Sequence, residues 1–161
     1  MGHVPEPPHS STLIGWREWV RLPGTDVRWM KAKIDTGART SSLHAFDVEE
    51  LTRDGREWVR FSVHPWQHSD EDAVVLERPV HDRRLVRSSN GHEQERIVVQ
   101  LDLVLVRRRL TAEVTLADRD AMGFRMLVGR EALERGYVVD SRRSWVGGRP
   151  RRLVRDKNAG R

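Results

Sequence analysis

Asp35 opens the tetrapeptide Asp35-Thr36-Gly37-Ala38, directly behind the apolar-alternating run Trp29-Met30-Lys31-Ala32-Lys33-Ile34. The alternation predicts a strand that delivers a carboxylate into a tight turn. A carboxylate so placed is suited to proton transfer. The strand fixes its position, the Thr36 hydroxyl can hydrogen-bond across, and Gly37 allows close backbone approach. A second segment, Met126-Leu127-Val128-Gly129-Arg130-Glu131-Ala132-Leu133, is again an apolar run that ends in glycine and enters a short helical pattern.

Together the two segments resemble the retropepsin family of aspartic peptidases. There, an Asp-Thr-Gly-Ala turn is paired far downstream with an apolar-apolar-Gly-Arg-x-x-Leu stretch packed beside the catalytic loop. Three flanking stretches, Ile14 to Val20, Lys31 to Ala45 and Leu116-Ala117-Asp118-Arg119, are similar to one bacterial branch. That branch carries the label ATP-dependent zinc protease and is associated with ATP-grasp enzymes that ligate glutamate onto proteins or peptides. The resemblance covers roughly residues 12 to 145. It implies an all-β fold, a retropepsin-like closed β-barrel of a single lobe with one short C-terminal helix. It also implies Asp35 as the catalytic carboxylate, Thr36, Gly37 and Ala38 as its loop, and Gly129 and Arg130 as supports of that loop. A flap would fall at Asn90-Gly91, a turn dipeptide ahead of the long strand beginning near Arg96. Without the resemblance, Asn90-Gly91 reads as an ordinary surface hairpin.

One aspartate is not enough for peptide hydrolysis of this kind. One carboxylate must be ionised to take a proton from water while another, protonated, polarises the scissile carbonyl. Two carboxyls in contact meet that need by sharing a proton. A single Asp-Thr-Gly in the chain therefore implies a homodimer in which Asp35 meets its own copy on the two-fold axis. The sequence departs from the viral pattern at Arg39, where retroviral proteases carry an acid that pairs with the arginine of the downstream Gly-Arg. Arg130 then needs another acid, with Asp118, Asp120 and Glu131 as candidates. The extra cation also lets Arg39, together with Arg130, Arg119 or Arg87, receive substrate carboxylates. Acidic, glutamate-rich peptides become the expected substrate class, although each arginine taken singly is equally readable as part of a structural ion pair.

The elements that must position these residues are mostly strands. Trp58 to Val63, Ala73 to Leu76, Arg96 to Val106 and Leu110 to Leu116 are rich in β-branched residues and lack helical periodicity. Asp54-Gly55 and Asn90-Gly91 mark hairpins. The helix expected is Arg130 to Arg135, closed by Gly136. At 161 residues the chain fits one domain. Residues 1–11 are expected as a proline-rich flexible lead-in, 12–145 as the retropepsin-like domain, and 146–161 as a basic disordered tail.

The net charge of +5 resides in that tail: residues 142–161 hold eight basic residues and one acid, leaving 21 basic and 23 acidic residues in the first 141. The body is slightly acidic, and the tail has little aromatic interleaving beyond Trp145, so nucleic-acid readout is not expected. A non-catalytic module that binds acidic peptides is the alternative from a different class, and a zinc-dependent peptidase, as the branch's label suggests, is the other. No apolar run approaches 18 residues and there is no cysteine, so a membrane span, disulfides and a cysteine zinc site are not expected, and a bacterial cytoplasm is the expected location. No cofactor is expected either. There is no His-Glu-x-x-His; His64 and His68 are separated by Pro65 and two other residues, His92-Glu93 lies in a turn, His81 is isolated, and His44 reads as a core or loop histidine. A phosphate loop and a Gly-x-Ser-x-Gly elbow are missing too.

Overall fold

The computed structural model describes residues 11–87, 91–118 and 123–161. In chain order the strands are β1 (Thr12–Gly15), β2 (Arg17–Arg21), β3 (Met30–Ile34), β4 (Ser41–His44), β5 (Phe46–Arg53), β6 (Arg56–Val63), β7 (Val74–Pro79), β8 (Asp82–Arg87), β9 (Glu93–Leu105), β10 (Arg108–Ala117), β11 (Met126–Val128) and β12 (Tyr137–Asp140). Two helices, α1 (Arg130–Leu133) and α2 (Arg152–Asn158), complete the described elements.

Strands β10, β4, β11, β3, β2 and β9 lie side by side in that order, and β9 pairs back onto β10, so the ring closes into a barrel. β8 extends β9 outward as a hairpin arm. A separate antiparallel sheet, β5-β6-β7, and a parallel pair, β1-β12, lie outside the ring. The all-β, single-lobe barrel expected from the sequence is what forms. Its core follows from period-two alternation: Met30, Ala32 and Ile34 of β3 point inward while Lys31 and Lys33 do not, and Val99, Leu101, Leu103 and Leu105 of β9 do the same over a longer span.

The Asp54-Gly55 dipeptide makes the β5–β6 hairpin. Both residues have left-handed φ, 50° and 75°, the geometry whose twist matches the flanking strands.

Inside the body lies a carboxylate that no composition count discloses. Glu18 of β2 is fully buried and accepts hydrogen bonds from the backbone N–H groups of Gly15 (2.7 Å), Val146 (3.0 Å) and Gly147 (3.0 Å). A buried carboxylate is tolerated when its lone pairs are met in this way. It ties β2 to a segment 128 residues further along the chain.

The segment expected as a basic disordered tail contains a second helix instead. α2 docks through Asn158, which is 1% exposed: its Oδ1 accepts the Gln67 N–H at 2.9 Å and its carbonyl accepts the His68 N–H at 2.9 Å. Lys157 adds an ion pair to Asp72 at 2.5 Å and sits over the Trp66 ring. The basic residues hide this signal, because the contacts fall on one asparagine and one lysine within an otherwise exposed run. α1 is also shorter than expected, ending at Leu133.

Glu18→Ala leaves three backbone donors without their acceptor, and urea denaturation is expected to show a loss of roughly 3–5 kcal/mol, with a smaller loss for Glu18→Gln. Asn158→Ala is expected to cost about 1–2 kcal/mol and to speed amide exchange at Gln67 and His68.

Candidate active site

β3 ends on the buried Ile34, and the next residue turns out of the barrel. The Asp35 N–H still donates to the Val128 carbonyl of β11 (2.9 Å), so the backbone of the aspartate is held by the neighbouring strand. Its side chain accepts the Gly37 N–H on Oδ1 at 2.9 Å, and the Ala38 N–H closes the turn onto the Asp35 carbonyl. A Cβ on Gly37 would lie 3.2 Å from that same Oδ1, a tight approach that the glycine avoids. Asp35 is half-buried, while Thr36 and Gly37 are exposed at the tip.

The other side of the site comes from the chain 90 residues later. β11 threads between β3, to which it is parallel, and β4, to which it is antiparallel, filling the gap opened where the chain leaves one strand and returns in the other. It then meets the loop at Gly129, where a Cβ would stand 2.6 Å from backbone atoms of Thr40 and 2.9 Å from the Ala38 carbonyl oxygen. Only glycine allows this contact. The Gly129 N–H donates to the Ser41 hydroxyl at 3.1 Å in a buried position.

The first N–H groups of any helix lack partners within it. In α1, the amide of Arg130 donates to the Ala38 carbonyl (2.8 Å) and that of Glu131 to the Arg39 carbonyl (2.9 Å). The Arg130 guanidinium donates from Nη1 to the carbonyls of Thr36 (3.0 Å) and Gly37 (3.2 Å). The acid sought for Arg130 is therefore replaced by two loop carbonyls. Glu131 instead accepts the Glu113 N–H and pairs with Arg135, Asp118 lies 3.6 Å from His44 Nδ1, and Asp120 falls outside the described residues. Arg130, expected beside Arg39 as a receiver of substrate carboxylates, is turned onto the loop. Arg39 is exposed and its guanidinium has no partner among the described residues. Arg87 pairs with Glu93 at 3.5 Å, and Arg119 lies outside the described residues.

Of the flap dipeptide, Asn90 is likewise outside the described residues, while Gly91 is exposed in the connection between β8 and β9. The two strands pair antiparallel from Asp82↔Val98 to Arg87↔Glu93, forming a hairpin arm. Among the described residues, no group of three or more His, Asp or Glu side chains is arranged to hold a metal ion. His44 is 5% exposed and stacks on His64 and Phe46. Nearby, Arg125 is buried, donates to the carbonyls of Trp66 and Ser69, and pairs with Asp70 at 2.9 Å. That hydrogen bond, more than the charges of the histidines, holds the Asp70 carboxyl below its ordinary range. Ser41 and Arg125 were not singled out by sequence reasoning. Ser41 sits in a Thr-Ser-Ser run whose burial becomes visible only once β11 is in place.

A strand, an Asp-Thr-Gly turn, and an apolar-Gly-Arg element threaded beside it also define a family. A profile described as RimB-like, retropepsin-like aspartic endopeptidase RimB, matches residues 13–150. The chain belongs to that family. Among curated proteins it is 42% identical over 128 residues to one from Desulfotalea psychrophila and 43% identical over 128 residues to one from Parasynechococcus marenigrum, both named "Probable alpha-L-glutamate ligase". Each alignment covers 80% of this chain but 28% of the relative, so the chain spans less than a third of the length of the curated relatives it matches. A crystal structure of the Legionella pneumophila protein Lpg0085, of unknown function, superposes with a TM-score of 0.73 at 26% identity, covering 86% of this chain and 99% of that one.

Gly129→Ala forces a Cβ into the loop backbone. It is expected to cost about 1–3 kcal/mol in thermal or urea unfolding and to speed amide exchange at Asp35 and Ala38, whereas Ala132→Gly in the adjoining helix is expected to leave those two amides unchanged relative to the rest of the barrel.

Proposed function

We propose that this RimB-like chain is a homodimeric aspartic peptidase that cuts acidic, glutamate-rich peptides. The observation that carries the reading is the Asp35 loop. It is braced from behind by Arg130 and α1, its tip is exposed, and no second carboxylate is hydrogen-bonded to Asp35 among the described residues. A second copy would supply that carboxylate. The face around the loop suits a partner: Thr36, Arg130, Leu133, Tyr137 and Val139 line a groove of about 350 Å³, and the β1-β12 pair leaves Leu13 and Val138 exposed.

In this mechanism the ionised Asp35 takes a proton from water as the water oxygen bonds to the scissile carbonyl carbon. The protonated Asp35 of the second copy donates to the carbonyl oxygen. Collapse of the tetrahedral intermediate then breaks the C–N bond, with a proton returned to the leaving amine. Thr36 braces the opposing loop through its exposed hydroxyl, and the β8-β9 arm, with Gly91 near its end, closes over the cleft. Arg39, with no side-chain partner among the described residues, receives a substrate carboxylate. The relatives' ligase name makes an ATP-grasp glutamate ligase the natural functional neighbour, with ligation adding glutamate and this chain removing it. The same name supports a second reading, in which the chain binds acidic peptides without cutting them.

The test is cleavage of glutamate-rich peptides from acid to neutral pH, with a metal chelator in parallel and the oligomeric state measured by sedimentation. Cutting by a dimer that survives chelation and falls by about 10²–10⁴-fold in Asp35→Asn is expected. Arg39→Ala is expected to raise KM for acidic over neutral peptides about tenfold. A verified dimer that binds these peptides and cuts none would replace the peptidase by the binding module, a stable monomer would remove the shared dyad, and loss on chelation would point to a metal.

A further inference from the structure

At the end of the barrel away from the Asp35 loop, β2, the two residues before β3 and the β9–β10 turn enclose a pocket of about 270 Å³ whose wall is largely apolar. Trp19 and Trp29 meet edge to face in it, 6.1 Å apart, and Val104 and Val106 complete the wall. Trp29 is separated from Asp35 by the full length of β3, about 20 Å of extended chain.

Three arginines, Arg21, Arg28 and Arg107, stand at the mouth. All are exposed, and none has an acidic partner among the described residues. Elsewhere in the fold Arg60, Arg83, Arg84 and Arg109 each pair with a carboxylate. The indole N–H of Trp19, a residue 7% exposed, also lacks an acceptor among the described residues. A buried donor left unmet is costly.

The backbone here departs from ordinary turn chemistry. Val106 and Arg107 have φ of 47° and 65°, the left-handed pair for which Asn-Gly is preferred, and a β-branched residue is poorly suited to it. That conformation sets Val106 in the wall and Arg107 at the mouth. The chain is held against the turn by Gly147, where a Cβ would come 3.0 Å from the Val106 Cα, and the Gly147 N–H is in turn bound by Glu18.

Size and charge together select the occupant. Ligand pockets run from about 300 to 1,000 Å³, and this one, at the small end, has room for a single large side chain. Tryptophan walls ringed by arginine are the composition that anchors protein partners, and three cations without an acidic partner among the described residues call for carboxylates beside the anchor. We infer that this pocket docks a partner protein through a short segment carrying one large apolar side chain between acidic residues. The inference does not depend on the peptidase reading.

The experiment uses the full chain carrying Asp35→Asn, so that no probe is cut, and fluorescein-labelled Glu-Glu-Phe-Glu-Glu, Glu-Glu-Ala-Glu-Glu and Ser-Gly-Phe-Gly-Ser peptides read by anisotropy. The acidic phenylalanine peptide is expected to bind at least about tenfold more tightly than either control. It should also shift the indole N–H resonances of Trp19 and Trp29. Adding Trp29→Ala, or the exposed pair Arg28→Glu and Arg107→Glu, is expected to weaken it by about tenfold or more, a larger loss than Arg39→Ala causes by removing the cleft's own contact with acidic peptide. Equal binding of the phenylalanine and alanine peptides would overturn the inference, as would a loss that follows Arg39 and so belongs to the cleft. Tighter binding of a uridine oligonucleotide, lost in the same pocket variants, would overturn it in favour of nucleic acid.

Discussion

A turn that leaves a barrel and a helix that has barely begun have the same problem: backbone groups with nowhere to bond. Here each answers the other. The carbonyls of Thr36, Gly37, Ala38 and Arg39 are met by the side chain of Arg130 and the amides of Arg130 and Glu131. That exchange requires β11 to enter between β3 and β4, and requires Gly129 to be bare enough for the two backbones to touch. The position of Asp35 is a result of this fit, since its own amide is fixed by Val128 and its carboxylate by Gly37.

This arrangement also explains how the acid next to the Asp-Thr-Gly-Ala turn could be exchanged for Arg39. A carboxylate is one way to hold the Arg130 guanidinium, but two carbonyls at 3.0 and 3.2 Å offer acceptors without a second charge. With the brace maintained by main chain, the side chain at position 39 is released from structural duty.

Much of the barrel was legible because its strands alternate. β3, β9 and β10 each place one apolar face inward over five or more residues, and Asp54-Gly55 is a turn dipeptide whose preference is local. The candidate loop was legible for the same reason, as strand, carboxylate and glycine are adjacent in the chain. What escaped was set by distant contacts. β4 is a four-residue strand, Ser41 to His44, buried on both faces between β10 and β11, so its polar residues give no alternation to read. Glu18 looks like one more surface acid in an Arg-Glu-Trp run until Val146 and Gly147 are brought to it. α2 was concealed by charge: an arginine-rich run resembles a solvated end, and the asparagine that docks it has no periodic signature.

The Glu18 carboxylate has a further consequence, in time rather than space. One of its three partners is three residues away, but Val146 lies 128 residues further along the chain, and β1 likewise waits for β12. As the polypeptide emerges from the ribosome, β2 and β3 can pair as neighbours, but the Glu18 seam is not complete until Val146 and Gly147 have followed. Contacts this remote in sequence slow folding. Until then the half-made barrel holds Glu18 in an unfinished cradle, and a chain interrupted shortly before Val146 leaves that acid without the Val146 and Gly147 donors.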